Sequence, residues 1–208
     1  LHLKAFKNDC MNIDSDMDVN AKNNFGETPL HIALKYCNFK FAEKLLELGA
    51  DVDVQDTKGY SPLYILSGLK GSKPKYELLE KFLSLTNSIN SQDDGGYHIP
   101  LTAAVRANDE LTVDMLIKAG ADVGFINVVK DNLIDIALMS KSYDVINILN
   151  SYDPTLIFYD NLEHQIPIAS IYKLANKYDV LPQIETLWES FDKSLVKSDE
   201  ELLHMNWE

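Results

Sequence analysis

Cysteine is nearly absent: the 208 residues hold two, Cys10 and Cys37, in neither a C-x-x-C pair nor a regular framework. That excludes a disulfide-stapled scaffold and the usual ligand spacing of a structural zinc site, and it fits a reducing, cytoplasmic setting. Long apolar runs are missing too. No stretch approaches the roughly 18 apolar residues that suggest a membrane-spanning helix. The opening Leu1-His2-Leu3-Lys4 supplies neither an initiator Met nor the apolar core of a signal peptide, so the start reads as that of a fragment. Positive charge is scarce, with 19 Lys and Arg against 32 Asp and Glu and a formal net charge of −13. Such a surface repels phosphate backbones and anionic lipid, which argues against nucleic acid and membrane as partners and favours a neutral or basic protein.

Catalytic signatures are equally sparse. There is no H-E-x-x-H and no G-x-S-x-G, and Gly68 to Lys73 lacks the spacing of a phosphate-binding loop. The five histidines, His2, His31, His98, His164 and His204, fall into no catalytic or ligand spacing. Asp93-Asp94 superficially offers paired carboxylates, but Gly95-Gly96-Tyr97 follows, and Asp with Gly makes a turn. No active site, cofactor or metal is expected in this chain.

What is present is a repeat. Composition is that of an ordinary globular chain, 46% hydrophobic and 25% charged, so a packed core is available. The clearest unit runs over residues 23–55, with Gly26, then Thr28-Pro29-Leu30-His31-Ile32-Ala33, then Leu45-Leu46, then Gly49-Ala50-Asp51-Val52. Gly26 suits a tight turn that needs positive φ. Thr28 is placed to cap a helix that Pro29 begins, where its missing N–H costs nothing. Leu30, Ala33, Leu45 and Leu46 mark buried faces, and Gly49 marks a helix end. Copies follow: Ser61-Pro62-Leu63-Tyr64-Ile65-Leu66 after Gly59, then Phe82-Leu83; Ile99-Pro100-Leu101-Thr102-Ala103-Ala104, then Leu116-Ile117 and Gly120-Ala121-Asp122-Val123; a weaker Asn132-Leu133-Ile134-Asp135-Ile136-Ala137, then Ile148-Leu149; and a trace at Ile166-Pro167-Ile168-Ala169.

These residues resemble the ankyrin-repeat pattern G-x-T-P-L-H-x-A followed by L-L-x-x-G-A-D-V-N, departing in the first unit at Asp53, and the unit has that family's 33-residue period. The resemblance implies an all-α ankyrin-repeat solenoid of about four to five helix-turn-helix repeats with β-turn fingers and terminal capping helices. The expected divisions are a capping helix or partial repeat over 1–22, repeats over 23–55, 56–92, 93–126 and, divergent, 127–160, and a fifth divergent repeat or cap with an acidic tail over 161–208. The second repeat is the longest, and its extra residues are expected as an insertion between its helices, at 68–75. Its three lysines, Lys70, Lys73 and Lys75, read either as a solvated loop or as a contact for an acidic patch. His31 belongs to the helix-start signature and implies hydrogen bonding between repeats.

The resemblance also implies binding to another protein at the finger tips and the exposed face of each first helix. Carried over by position, the candidate partner-binding residues are Asn24, Phe25, Glu27, Lys35 and Tyr36 in the first repeat; Thr57, Lys58, Tyr60, Leu69, Lys70 and Lys73 in the second; Asp94, Tyr97, His98 and Arg106 in the third; and Asp131, with Val128 and Met139, in the fourth. Phe25, Tyr60 and Tyr97 lie at or beside corresponding tips. Each ring either docks a partner, as aromatics at interfaces do, or packs on the next finger. The Asn-, Lys- and Ile-rich usage and degenerate repeats resemble bacterial effector ankyrins, and the size and divergent end are similar to the C-terminal ankyrin domain of the OspC family of type III effectors. That resemblance implies a domain, monomeric alone, that selects a host inflammatory caspase in the host cytosol. A separate domain would use NAD to modify an arginine of the target. A stand-alone scaffold or inhibitor is the other reading.

Overall fold

In the computed structural model, residues 1–7, 17–153 and 156 are described. They form nine helices, with no strand among them: α1 His2–Lys7, α2 Pro29–Lys35, α3 Phe39–Glu47, α4 Pro62–Ser67, α5 Lys73–Leu85, α6 Pro100–Arg106, α7 Glu110–Lys118, α8 Leu133–Ser140 and α9 Asp144–Tyr152. The helices pair as α2/α3, α4/α5, α6/α7 and α8/α9. Inner helices stack in one row, α2 on α4 on α6 on α8, and outer helices in a second, α3 on α5 on α7 on α9. The architecture is an all-α ankyrin-repeat solenoid. The predicted fifth repeat, over 161–208, lies outside the described residues.

The helix starts follow from local chemistry. Pro29, Pro62 and Pro100 open three of the four inner helices, each after a residue in extended conformation. Ser61 Oγ accepts from the Tyr64 N–H at 3.2 Å, an ordinary side-chain cap. Thr28 behaves differently from expectation. Its N–H and its hydroxyl both donate to Nδ1 of His31, at 3.1 and 2.8 Å, so the imidazole satisfies the helix start. Nε2 of the same ring then donates to the Tyr60 carbonyl of the next finger at 3.0 Å. Burial lowers the His31 pKa, in keeping with a neutral ring that donates from one nitrogen and accepts at the other. The fourth helix pair lacks the Pro but keeps a reciprocal cap: Asn132 Oδ1 accepts from Asp135 N–H at 3.0 Å, and Asp135 Oδ2 accepts from Asn132 N–H at 2.9 Å.

The core runs along the interface between the two rows. Leu30, Leu34, Leu63, Leu66, Leu101 and Val105 from inner helices meet Phe41, Leu45, Leu78, Phe82, Val113 and Leu116 from outer ones, all without exposed surface. Leu46 is partly buried at its edge. Helix α1 packs on α2, with Ala5 fully buried and Leu3 and Phe6 exposed.

The second repeat departs from the expected insertion. Only residues 68–72 connect α4 to α5, and α5 starts at Lys73 and runs 13 residues, against nine for α3, α7 and α9. The extra chain is therefore largely helix. Lys75 is fully buried. Its ammonium donates to the Ser67 and Leu69 carbonyls at 3.2 and 2.6 Å and to Asp109 Oδ2 at 2.7 Å. Asp109 also accepts from Thr112, through both N–H and hydroxyl, and from the Tyr76 hydroxyl at 3.1 Å. The solvated-loop reading holds for the exposed Lys70; Lys73 is exposed but opens α5, and Lys75 is buried, its four-carbon stem long enough to reach the end of α4 beneath the helix start.

Candidate functional site

Each finger is a turn closed by one side chain. Asn23 Oδ1 accepts from Phe25 and Glu27 N–H, Asp56 Oδ1 from Lys58 and Tyr60, Asp93 Oδ1 from Tyr97 and His98, and Asn127 Oδ1 from Val129 and Asp131. Positive φ falls at Gly26, Gly59, Gly96 and Lys130, one residue per finger. Neighbouring fingers are joined by single backbone bonds: Thr57 N–H to Phe25 carbonyl, Asp94 to Lys58 and Val128 to Gly96. The third finger is one residue longer than the first two, so Tyr97 occupies an added position rather than the one that Tyr60 holds.

The fingers and inner helices enclose a groove of about 540 Å³. Eight of the eighteen candidates line it: Phe25, Glu27 and Lys35 from the first repeat, Thr57, Lys58, Tyr60 and Leu69 from the second, and Arg106 from the third. Tyr64, Ile65, Gly68, Ala103, Ala107 and Asp56 complete it and were not anticipated. Tyr64 was legible, because a Tyr standing where His31 stands in the first repeat cannot make the same pair of ring-nitrogen bonds. It stacks instead on Tyr60, with ring centroids 4.5 Å apart and planes 8° from parallel. The small side chains of the floor carried no signal beyond the close packing expected between neighbouring helices.

The other candidates are dispersed. Asn24 is exposed on the first finger. Tyr36 meets Phe6 edge to face at 4.6 Å, away from the groove. Lys70 lines a separate, shallow depression with Tyr76 and Asn108, and Lys73 pairs with Glu77 at 3.5 Å. Asp94 contributes its backbone to the finger row, Tyr97 is exposed, and Asp131 is held by Asn127 Nδ2 at 3.1 Å. His98 is half-buried, within 6.0 and 6.4 Å of the Tyr64 and Tyr60 rings, and its Nδ1 has no partner among the described residues. Of the outlying pair in the fourth repeat, Val128 and Met139 are both exposed.

Charge in the groove is partly committed. Glu27 is largely buried; burial pushes its carboxyl up, but hydrogen bonds from Lys35 and Asn23 outweigh this and lower it. Burial pushes the Tyr64 phenol up to about 12, the neighbouring Tyr60 adding to the effect and Arg106 opposing it. Burial lowers His98 as well, with Arg106 acting in the same direction, which keeps the ring neutral at pH 7. Among the described residues no cluster of three or more His, Cys, Asp or Glu is placed to hold a metal, and no helix is long and apolar enough to cross a membrane.

Stacked helix pairs with a row of turns along one edge define a repeat solenoid. A family model described as ankyrin repeats in many copies matches residues 12–66. The chain is 36% identical over 126 residues to the ANK repeat-containing protein nipk-1 of Caenorhabditis elegans, covering 54% of this chain and 20% of that one. It is 32% identical over 77 residues to a putative ankyrin repeat protein of Rickettsia bellii, covering 37% and 45% of the two chains. It is 45% identical over 47 residues to NF-kappa-B inhibitor alpha of Gallus gallus, covering 23% and 15%. The chain thus spans less than half the length of each of these relatives. Architecture and matches together support the ankyrin-repeat family, a class of protein-protein interaction modules whose domains are typically non-catalytic.

Proposed function

We propose that this chain recognises a partner protein by docking one of its segments in the groove between the finger row and helices α4 and α6. The observation that carries this reading is the convergence on one concavity of eight residues drawn from three repeats, apolar at the Tyr60–Tyr64 stack and charged at its rim. A groove built this way buries aromatic surface at its centre and leaves polar groups outside, the arrangement of an interface hot spot.

The more specific reading is that the domain selects the substrate of a bacterial effector, a host inflammatory caspase met in the host cytosol, with arginine modification performed by a separate catalytic domain. The resemblance to the OspC family supports it. A second reading, a stand-alone scaffold or inhibitor, is favoured by the similarity to NF-kappa-B inhibitor alpha. Titration calorimetry of the chain against a purified inflammatory caspase separates them. Saturable binding that Tyr60→Ala weakens is expected. A caspase that does not bind removes the effector target and leaves the scaffold reading.

A further inference from the structure

The groove's charge is opposite in sign to that of the molecule around it. Of its carboxylates, Glu27 is held by Lys35 and Asn23, and Asp56 turns an oxygen to its own finger backbone. Of its cations, Lys35 is paired to Glu27, whereas Lys58 and Arg106 have no carboxylate within ion-pair distance among the described residues. They line the same concavity, Lys58 from the second finger and Arg106 from the end of α6. The Tyr60–Tyr64 stack lines the same concavity, and its smallest lining residues are Gly68, Ala103 and Ala107.

We infer that the occupant of this groove is a protein segment presenting a single carboxylate next to an apolar or aromatic side chain, in a stretch that is otherwise neutral or basic. The inference rests on the groove being the docking surface. Three arguments lead to it. A guanidinium at the rim of a concave, partly dry site takes a planar carboxylate best, through two parallel hydrogen bonds. The apolar walls then require a ring or aliphatic side chain beside that carboxylate to displace water. Finally, the formal charge of −13 repels a strongly acidic partner at long range, while Lys58 and Arg106 attract an isolated acid at short range. The pairing of long-range repulsion with local attraction selects against acidic tracts and for one acid in a basic or neutral setting.

Selection from a random peptide library displayed on phage, with the immobilised chain as bait and Gly68→Leu as counter-bait, tests this. A Cβ at Gly68 makes only ordinary contact, 3.5 Å to the Ala103 Cβ, and φ there is −80°, so the backbone accepts the substitution while the longer side chain fills the floor. The expected result is enrichment of Asp or Glu beside an aromatic or aliphatic residue, in sequences without further acids. Arg106→Gln with Lys58→Gln should weaken the selected peptides about tenfold or more, and exchange of the selected acid for its amide should weaken them alike. Enriched sequences that are uncharged or basic throughout, yet lost on Gly68→Leu, overturn the acid preference and keep the groove as the docking surface. Enrichment that survives Gly68→Leu, or no enrichment, overturns both. Should Gly68→Leu fail to fold, the exposed pair Arg106→Gln and Lys58→Gln decides the charge preference alone.

Discussion

The Lys75 ammonium has no exposed surface and shares its three hydrogen bonds between two carbonyls at the end of its own inner helix and the Asp109 carboxylate of the next repeat. Burial lowers the lysine pKa and Asp109 opposes that. Burial would raise Asp109, but Lys75 and Thr112 outweigh it and hold the acid below its ordinary value. Removing one partner leaves the other charge uncompensated, so Lys75→Met should cost about 3–5 kcal/mol of stability in urea denaturation. Adding Asp109→Asn, which keeps an acceptor for the Thr112 N–H, should recover much of that loss; a double variant as unstable as the single one would refute the charge-pair account. The fourth repeat offers the opposite sign. Burial raises Asp135 from 3.8 to about 6. The folded chain therefore keeps this proton where the unfolded chain has lost it, and the stability it contributes is full below about pH 4 and lost as pH rises through 6. Asp135→Asn should accordingly gain stability relative to the parent at pH 7 and not at pH 4, as read from paired thermal melts. His31, Tyr64, Thr102 and Asp135 occupy one position in four repeats, and the sequence displays the exchange plainly. What it hides is the consequence of each: an inter-repeat bond, a ring in the groove, a local threonine bond and a buried acid. The burial of Lys75 was hidden for a related reason, since a lysine three residues beyond a Gly-Ser connection has the pattern of a loop until the early start of α5 is seen.

At the level of elements, helix starts were readable because Pro, Ser and Gly have local causes, and the buried faces of α2 to α7 because leucine spacing reports them. The start of α5 was not, because Lys-Pro-Lys-Tyr carries no apolar period of its own and becomes helical through the Ser72 cap and the packing of Leu78 and Leu79. The fingers pair more tightly than sequence suggests. A Cβ on Gly59 would stand 2.4 Å from the Asp94 backbone nitrogen, with φ at +80°, whereas one on Gly49, at φ +83°, meets nothing within 4 Å. Both substitutions carry the left-handed penalty of about 1–2 kcal/mol, but Gly59→Ala must also break the Lys58–Asp94 bond between fingers. Its denaturation midpoint should fall further than that of Gly49→Ala, and amide exchange at Asp94 should accelerate in Gly59→Ala alone. Equal effects of the two would mean that the fingers are held by their own turns and not by each other.

Across the whole molecule, stacking in two rows was implied by the period, and the groove follows from it: the same row-by-row register that packs the core aligns finger against finger and brings Phe25, Tyr60 and Arg106 to one concavity. Register alone brings eight of the candidate residues to that one concavity. Others lie apart from it where local chemistry breaks the register, as at the extra residue beside Tyr97 and at Lys73 on the early start of α5. Tyr60 illustrates how the two roles of a ring combine. Loss of its stack on Tyr64 in Tyr60→Ala should lower stability by about 0.5–1.5 kcal/mol, and loss of partner contact should cost binding about 2 kcal/mol or more. The central claim, that the concave groove and not the outer helices receives the partner, is tested most directly by site-specific photo-cross-linking. A photoreactive residue is placed in turn at Leu69, in the groove, and at Lys44, exposed on α3, and each chain is irradiated with the purified partner. The account predicts a defined cross-linked species from Leu69 and none from Lys44; cross-linking from Lys44 alone would place the partner on the outer face and contradict it.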